Sequence, residues 1–188
     1  MSKIIIITGS SGSGKTTIAK QLLAHDKFNL KFSISACSRK KRTGEIDGVD
    51  YMFLDLIEFK NKIKHQDFLE WEEVYKNNFY GTLKSQTKDI LNSGHHILFD
   101  VDVKGAVSLK NYFHQQALFI FVKPPSIGVL KNRLIQRKTE TEHDLKDRID
   151  RIDYEMYIGK KCDKVLLNDN LDVALKDAFL LVNNFLDI

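Results

Sequence analysis

Gly9-Ser10-Ser11-Gly12-Ser13-Gly14-Lys15-Thr16 fits the phosphate-loop pattern G-x-x-x-x-G-K-[ST]. The chemistry it offers is anion binding. Glycines let the backbone turn tightly and approach a phosphate with no Cβ in the way. Successive backbone N–H groups, ending at a helix N-terminus, then point at the anion. Lys15 adds a mobile positive charge for the outer phosphates, and the Thr16 hydroxyl can ligate Mg²⁺. The plainer alternative is a serine-rich turn. The flanks argue against it: Ile4, Ile5, Ile6 and Ile7 read as a buried strand, and the run opened by Thr17 reads as a helix.

Other residues gain meaning from this company. Arg39-Lys40-Lys41-Arg42 is a solvated loop, a localisation or nucleic-acid patch, or an anion clamp whose arginine forks grip phosphate oxygens. A phosphate loop in the same small chain, with Ser35 and Tyr51 nearby as hydroxyl donors, favours the clamp. Asp100 ends a predicted strand, where an acid of a phosphate-loop protein often holds Mg²⁺. Asp102 lies two residues on and points the same way in an extended chain. A metal or substrate role is expected for the pair, against two solvated strand-end acids. Glu70, beside Trp71, either faces water or accepts hydrogen bonds from a base edge. Arg133 and Arg137 share a helix face, and Arg148 and Arg151 lie three apart on the next helix. They form a solvated surface paired with Glu140, Glu142 or Asp144, or else the arginines of a moving lid.

Alternating short apolar strands and amphipathic helices must position these groups. The pattern predicts a helix over 15–24, a strand over 30–34, a polar loop over 35–45, a strand over 51–54 and a helix capped by Asp55 and running to about 65. A strand over 68–75 turns back through Lys76-Asn77-Asn78 into Phe79-Tyr80-Gly81. Beyond it lie a helix over 83–92 stopped by Gly94, a strand over 95–100, a helix over 104–113, and a strand over 118–122 ended by Pro124-Pro125. A helix over 126–137, a polar break over 138–141, a helix over 142–158, a strand over 164–167 and a helix over 171–186 complete the chain. This is an α/β pattern with a parallel sheet flanked by helices. The phosphate loop sits at the carboxyl end of its first strand, where such sheets bind ligands. Residues 33–84 read as an inserted β-rich lobe.

The 188 residues suit one domain, and 43% hydrophobic content is enough for a core. A net charge of +4 is too weak to argue for nucleic acid. No apolar run approaches a membrane span and no leader segment is apparent. Cys37 and Cys162 match no metal spacing and are expected as free thiols of a cytoplasmic protein.

Over nearly its whole length the chain resembles the guanylate kinases. Besides the phosphate loop, the resemblance rests on Ser33-Ile34-Ser35-Ala36-Cys37-Ser38-Arg39 with Arg42, Gly44-Glu45, Gly48 and Asp50-Tyr51. It continues through Phe68-Leu69-Glu70-Trp71, Tyr80-Gly81-Thr82, Asp100-Val101-Asp102 with Gly105, Pro124-Pro125-Ser126, and Arg133-Leu134 with Arg137. It implies a P-loop NTPase-type sheet as the core (about 1–32, 85–125 and 161–188), a GMP-binding lobe (33–84) and a helical lid (126–160). It further implies Mg²⁺-dependent transfer of the ATP γ-phosphoryl group to GMP. Gly9 through Thr17, Arg133, Arg137 and Asn168 would serve ATP, and Arg39, Arg42, Tyr51 and Tyr80 the GMP phosphate. Ser35, Glu70, Thr82 and Asp102 would read guanine. Lys15, Arg42, Arg137 and Arg148 would carry the transfer, with Thr16 and Asp100 at the metal. Small-molecule substrates alone are implied, GMP or its deoxy form with ATP, and a monomer or homodimer with no nucleic acid and no membrane. Lys40, Lys104 and Lys138 depart from the family's proline, glutamine and glycine. Two alternatives share the fold: a non-catalytic interaction module, which typically has a degraded phosphate loop, and a kinase of a phosphorylated sugar, which has no guanine edge to read.

Overall fold

The isoleucine run lies at the centre of the molecule. In the structure, a computed structural model describing residues 2–136 and 142–187, β1 (Ile4–Thr8) is the middle strand of a five-stranded sheet. The other strands are β2 (Leu30–Phe32), β7 (His96–Asp100), β8 (Ala117–Lys123) and β9 (Lys164–Leu167), in the order β2-β7-β1-β8-β9 and all parallel. Both faces are covered, which is why the strand is continuously apolar rather than alternating. Ile5 and Ile7 pack with Ile18 and Leu22 of α1 (Lys15–Leu23) and Ala174, Ala178 and Val182 of α7 (Leu171–Leu186). Ile4 and Ile6 pack on the other side with Ile90 of α3 (Lys84–Asn92) and Ala106 and Leu109 of α4 (Val103–Phe113). Burying each such side chain contributes about 1.5–3 kcal/mol. The register pairs Ile7 with both Asp100 and Ile120, so β1, β7 and β8 end together at one edge.

A second sheet, in the order β4-β3-β6-β5, carries the inserted lobe. It comprises β3 (Ala36–Cys37), β4 (Met52–Phe53), β5 (Phe68–Tyr75) and β6 (Asn78–Leu83). The β5–β6 hairpin turns at Asn77, which adopts φ +61°. Helix α2 (Leu56–Lys64) closes one face, its Phe59 stacking 4.5 Å from Phe68. The expected Asp55 cap is present and accepts the Glu58 N–H at 2.7 Å, an arrangement worth about 1 kcal/mol.

Two more helices, α5 (Ile127–Gln136) and α6 (Glu142–Ile158), lie between β8 and β9. The sequence boundaries of β5, β9, α6 and α7 coincide with the observed ones. The predicted strand over 30–34 stops at Phe32, and a two-residue strand, β3, appears inside the predicted loop. Ala36 and Cys37 pair with Gly81 and Tyr80 on one side and Met52 and Phe53 on the other. Two residues are too few to show a period. Arg137 and the polar break over 138–141 lie outside the described residues. Among the described residues, no helix is long and apolar enough to cross a membrane.

Candidate active site

One cleft of about 320 Å³ opens above the carboxyl edge of the main sheet and beneath the lobe. Its floor is the phosphate loop between β1 and α1, and Gly9, Ser11, Lys15 and Thr16 line it. Gly9 passes so close to β8 that a Cβ would lie 2.5 Å from the Val122 carbonyl oxygen. Gly14 caps α1 in the left-handed conformation, φ +92°. A Cβ there would meet the Asn168 amide at 2.2 Å. That amide donates to the Ser13 carbonyl at 2.7 Å, so a residue just past β9 holds the loop in shape. Ser10, Gly12 and Ser13 are buried behind the cleft, and Thr17 is exposed on α1. The buried Ser10 and Ser13 hydroxyls have no partner among the described residues.

Thr16 donates its hydroxyl to Asp100 Oδ2 at 2.7 Å. Asp100 Oδ1 is buried with no partner among the described residues. An orphaned carboxylate oxygen beside a hydroxyl is a hard-donor pair of the kind that meets a divalent cation together with phosphate oxygens.

Across the cleft the lobe presents Arg39, Arg42, Tyr51 and Tyr80. Arg39 is tightly held. It donates to both oxygens of Glu45, at 2.7 and 2.5 Å, to the Lys40 carbonyl at 3.0 Å, and through Nε to the Tyr80 hydroxyl at 3.1 Å. Its guanidinium also lies 4.9 Å from the Tyr51 ring centre. Burial works against its charge, but the Glu45 carboxylate, Tyr80 and Cys37 together outweigh it and keep the guanidinium firmly protonated. Arg42 is exposed and, among the described residues, is tied in only through its backbone, whose N–H reaches Glu45 at 2.8 Å. One arginine is therefore held by a carboxylate fork, and the other presents an exposed side chain. Burial pushes the Tyr51 hydroxyl up to about 12, so it stays a hydrogen-bond donor.

Glu70 lies at the far end of the cleft, 9% exposed, beside Ser35 and Asp102. It and Phe68 share the inner face of β5, whereas Trp71 points outward at 42% exposure. Burial raises the Glu70 carboxyl to about 7; the Thr82 hydroxyl pulls it back, and Asp102 and Glu72 push it further up. It is therefore poised near neutrality rather than fully ionised there. Gly105 makes room for it, since a Cβ on that residue of α4 would come 2.8 Å from Glu70 Oε2. Thr82 stands directly behind the acid. It is fully buried, its hydroxyl donates to Glu70 Oε1 at 2.6 Å, and it is not part of the cleft wall. Asp102 caps α4, accepting the Gly105 N–H on Oδ1 at 2.8 Å, and lines the cleft.

The third wall is α6. Arg151 and Glu155 line the cleft; the sequence leaves Arg151 between a solvated surface and a lid arginine, and does not single out Glu155. Their i, i+4 spacing is the signal that could have placed both on one inward face. Arg133 lies elsewhere, its guanidinium 3.4–3.5 Å from the Asn168 carbonyl. Arg148 is on α6, with its side chain outside what the structure describes.

A phosphate loop facing an arginine clamp and a buried acid, all above the carboxyl edge of a parallel sheet, defines a P-loop phosphotransferase with two nucleotide subsites. The guanylate kinase family profile matches residues 1–183. A guanylate kinase of Bacteroides fragilis is 46% identical over 186 residues, covering 99% of this chain and 91% of the relative. One from Salinibacter ruber is 45% identical, covering 97% and 96%. The crystal structure of guanylate kinase from Anaplasma phagocytophilum superposes with a TM-score of 0.78 at 23% identity over 97% of this chain and 85% of that one, a likeness of fold. The chain belongs to the guanylate kinase family. The interaction-module and sugar-kinase alternatives are not favoured.

Proposed function

We propose that this chain transfers the γ-phosphoryl group of ATP to GMP, giving ADP and GDP, with the core, the lobe over 33–84 and the lid over 126–160 as its working parts. The observation that carries the reading is one cleft with Lys15 of an intact phosphate loop at one end and buried Glu70 at the other. Backbone N–H groups of the loop and Lys15 cradle the ATP phosphates. Arg39, Arg42, Tyr51 and Tyr80 hold the GMP phosphate, Arg39 as the fixed member. Glu70, Ser35 and Asp102 read guanine, whose N1–H and 2-amino group offer adjacent donors to an acceptor carboxylate. Thr82 orients Glu70, and Asn168 acts on ATP by shaping the loop. Arg133, Arg137 and Arg148 are assigned to the ATP phosphates and the transfer. No protein nucleophile is required: aligning the two nucleotides and neutralising charge on the transferring group are enough. Thr16 and Asp100 would hold Mg²⁺, the acid directly or through water. When bound, the ion supplies charge neutralisation on the phosphate oxygens. Free, unpaired Cys37 and Cys162 fit a cytoplasmic setting.

The test is a coupled assay with ATP–Mg²⁺ and a panel of GMP, dGMP, AMP, UMP and CMP. Turnover of GMP at least about 10³-fold more efficient than of AMP is expected, because rejecting a base that leaves buried groups unpaired is worth that much or more. Comparable use of GMP and AMP would overturn the assignment.

A further inference from the structure

We propose that Arg151 is the positioning residue that links an occupied base pocket to helix α6, and through it to the phosphate loop. The inference rests on the reading of Asp102 as part of that pocket. Arg151 spans three parts of the protein. Its Nη1 donates to the Val74 carbonyl of β5, the strand that carries Glu70, at 2.7 Å. Its Nη2 lies 3.5 Å from Asp102 Oδ2. Its guanidinium sits 5.6 Å from the Tyr75 ring centre, and its Nε is 4.0 Å from Glu155 Oε1.

The two arms of the fork are not equal. The Val74 arm is a short hydrogen bond, and the Asp102 arm is at the outer limit of one. Asp102 has one oxygen spent on the α4 cap, so Oδ2 alone serves both the cleft and Arg151. A carboxylate oxygen has two acceptor sites, so a base donor and a guanidinium can share it. A base on Oδ2 also displaces water from an ion pair whose partners are only 22% and 23% exposed. Lower local polarity strengthens that pair and draws the second arm in. One turn along the same face, Glu155 lines the same cleft as Gly9, Ser11 and Lys15 of the phosphate loop. The face of α6 thus reads the base with one residue and meets the phosphate loop with the next. Filling one subsite helps organise the other.

Calorimetry on the full chain tests this by measuring GMP affinity with and without a non-hydrolysable ATP analogue; the ratio is the coupling factor. Wild type is expected to show each nucleotide tightening the other. Arg151→Met is expected to lower the factor about fivefold or more, the scale of a typical coupling between sites, while GMP affinity measured alone changes less than about threefold. Adding Asp102→Asn to Arg151→Met should then lower the factor no further. A wild-type factor near one would overturn the proposal. So would an unchanged factor in Arg151→Met, or equal weakening of each nucleotide alone, which is what a mere structural anchor gives. If the Met variant melts before binding can be measured, Arg151→Lys carries the test: it keeps the charge but has no fork, so the factor should fall at least about twofold, and an undiminished one refutes the two-armed link. Wild type that binds no GMP sinks the functional reading instead, so the two failures are told apart.

Discussion

The two ends of the cleft are built on opposite plans. The phosphate end is contiguous and made mostly of backbone: eight consecutive residues, glycines at the close approaches, and one amide from Asn168 as a brace. The base end is assembled from side chains that are distant in sequence. Glu70 stands on β5, Thr82 behind it on β6, Gly105 beneath it on α4, and Asp102 at the α4 cap. The phosphate end binds what every nucleotide shares, so a fixed string serves. The base end must tell one ring edge from another, which takes a desolvated acid held by neighbours from several elements. Damage should therefore appear as lost rate at one end and lost selectivity at the other.

The largest effect is expected from Lys15→Ala. Loss of one preorganised charge contact on the transferring group should cost about 10²–10³ in kcat, with an unchanged circular dichroism spectrum and an unchanged ratio of GMP to AMP use. A shift in that ratio would break the division between the ends.

Next comes Glu70→Ala. It should lower kcat/KM for GMP at least about tenfold, the scale of one charged hydrogen bond, and narrow the GMP-over-AMP preference. Steady-state kinetics with both nucleotides decide it; an unchanged preference would mean that the base is read elsewhere.

Arg42→Ala sharpens the contrast within the lobe. With no described side-chain partner to lose, it should weaken GMP about tenfold while leaving the melting temperature and ATP affinity nearly unchanged. Arg39→Ala also removes the Glu45 and Tyr80 bonds and should lower the melting temperature. Calorimetry and a thermal melt, run on both variants, separate a clamp from a scaffold. Equal losses for ATP and GMP in the Arg42 variant would refute the clamp.

The smallest effect is a pH dependence confined to the base end. Glu70 rises from an ordinary 4.5 to about 7 in the folded protein. GMP needs the ionised form, so its affinity should fall as pH drops through 7, by about threefold between pH 7.5 and 6.5. Glu70→Gln should flatten the profile. Stability moves the other way: the folded state holds this proton more tightly, so the group's contribution is present below about 4.5 and is lost as pH rises from 4.5 to 7.

The same contrast governs how much was legible in the sequence. The phosphate loop, its flanking strand and helix, and the whole of α6, β9 and α7 could be read directly, because local period and composition determine them. Asp55 and Gly94 were visible as punctuation. Strand β3 was not, since its two residues are ordered only by pairing with β4 and β6. Glu70 was legible as a candidate but not as a buried one. The clue was its alternation with Phe68, which turns the acid inward and leaves the adjacent tryptophan in solvent. The bond from the Thr82 hydroxyl to Glu70 crosses a hairpin, and no local pattern reveals it. Arg151 reads in the sequence as surface charge or as a lid arginine, and Glu155 is not singled out, because what they face, Val74 and Asp102 for one and the cleft for both, lies far away in the chain.

The brace between Asn168 and Ser13 joins residues 155 positions apart, and this bears on how the protein is made. Ile4 pairs with Ile97 and Ala117, so during synthesis β1 has no neighbouring strand until β7, more than ninety residues beyond Ile4, has followed it. The amide that shapes the phosphate loop is delivered later still, just past the last strand. A growing chain thus carries the complete eight-residue signature long before it has a working nucleotide site. Through that interval its most apolar stretch stands unpaired, a sticky segment of the kind that chaperones attend to. A chain cut short before residue 168 keeps every residue of the motif and lacks the contact that holds Ser13.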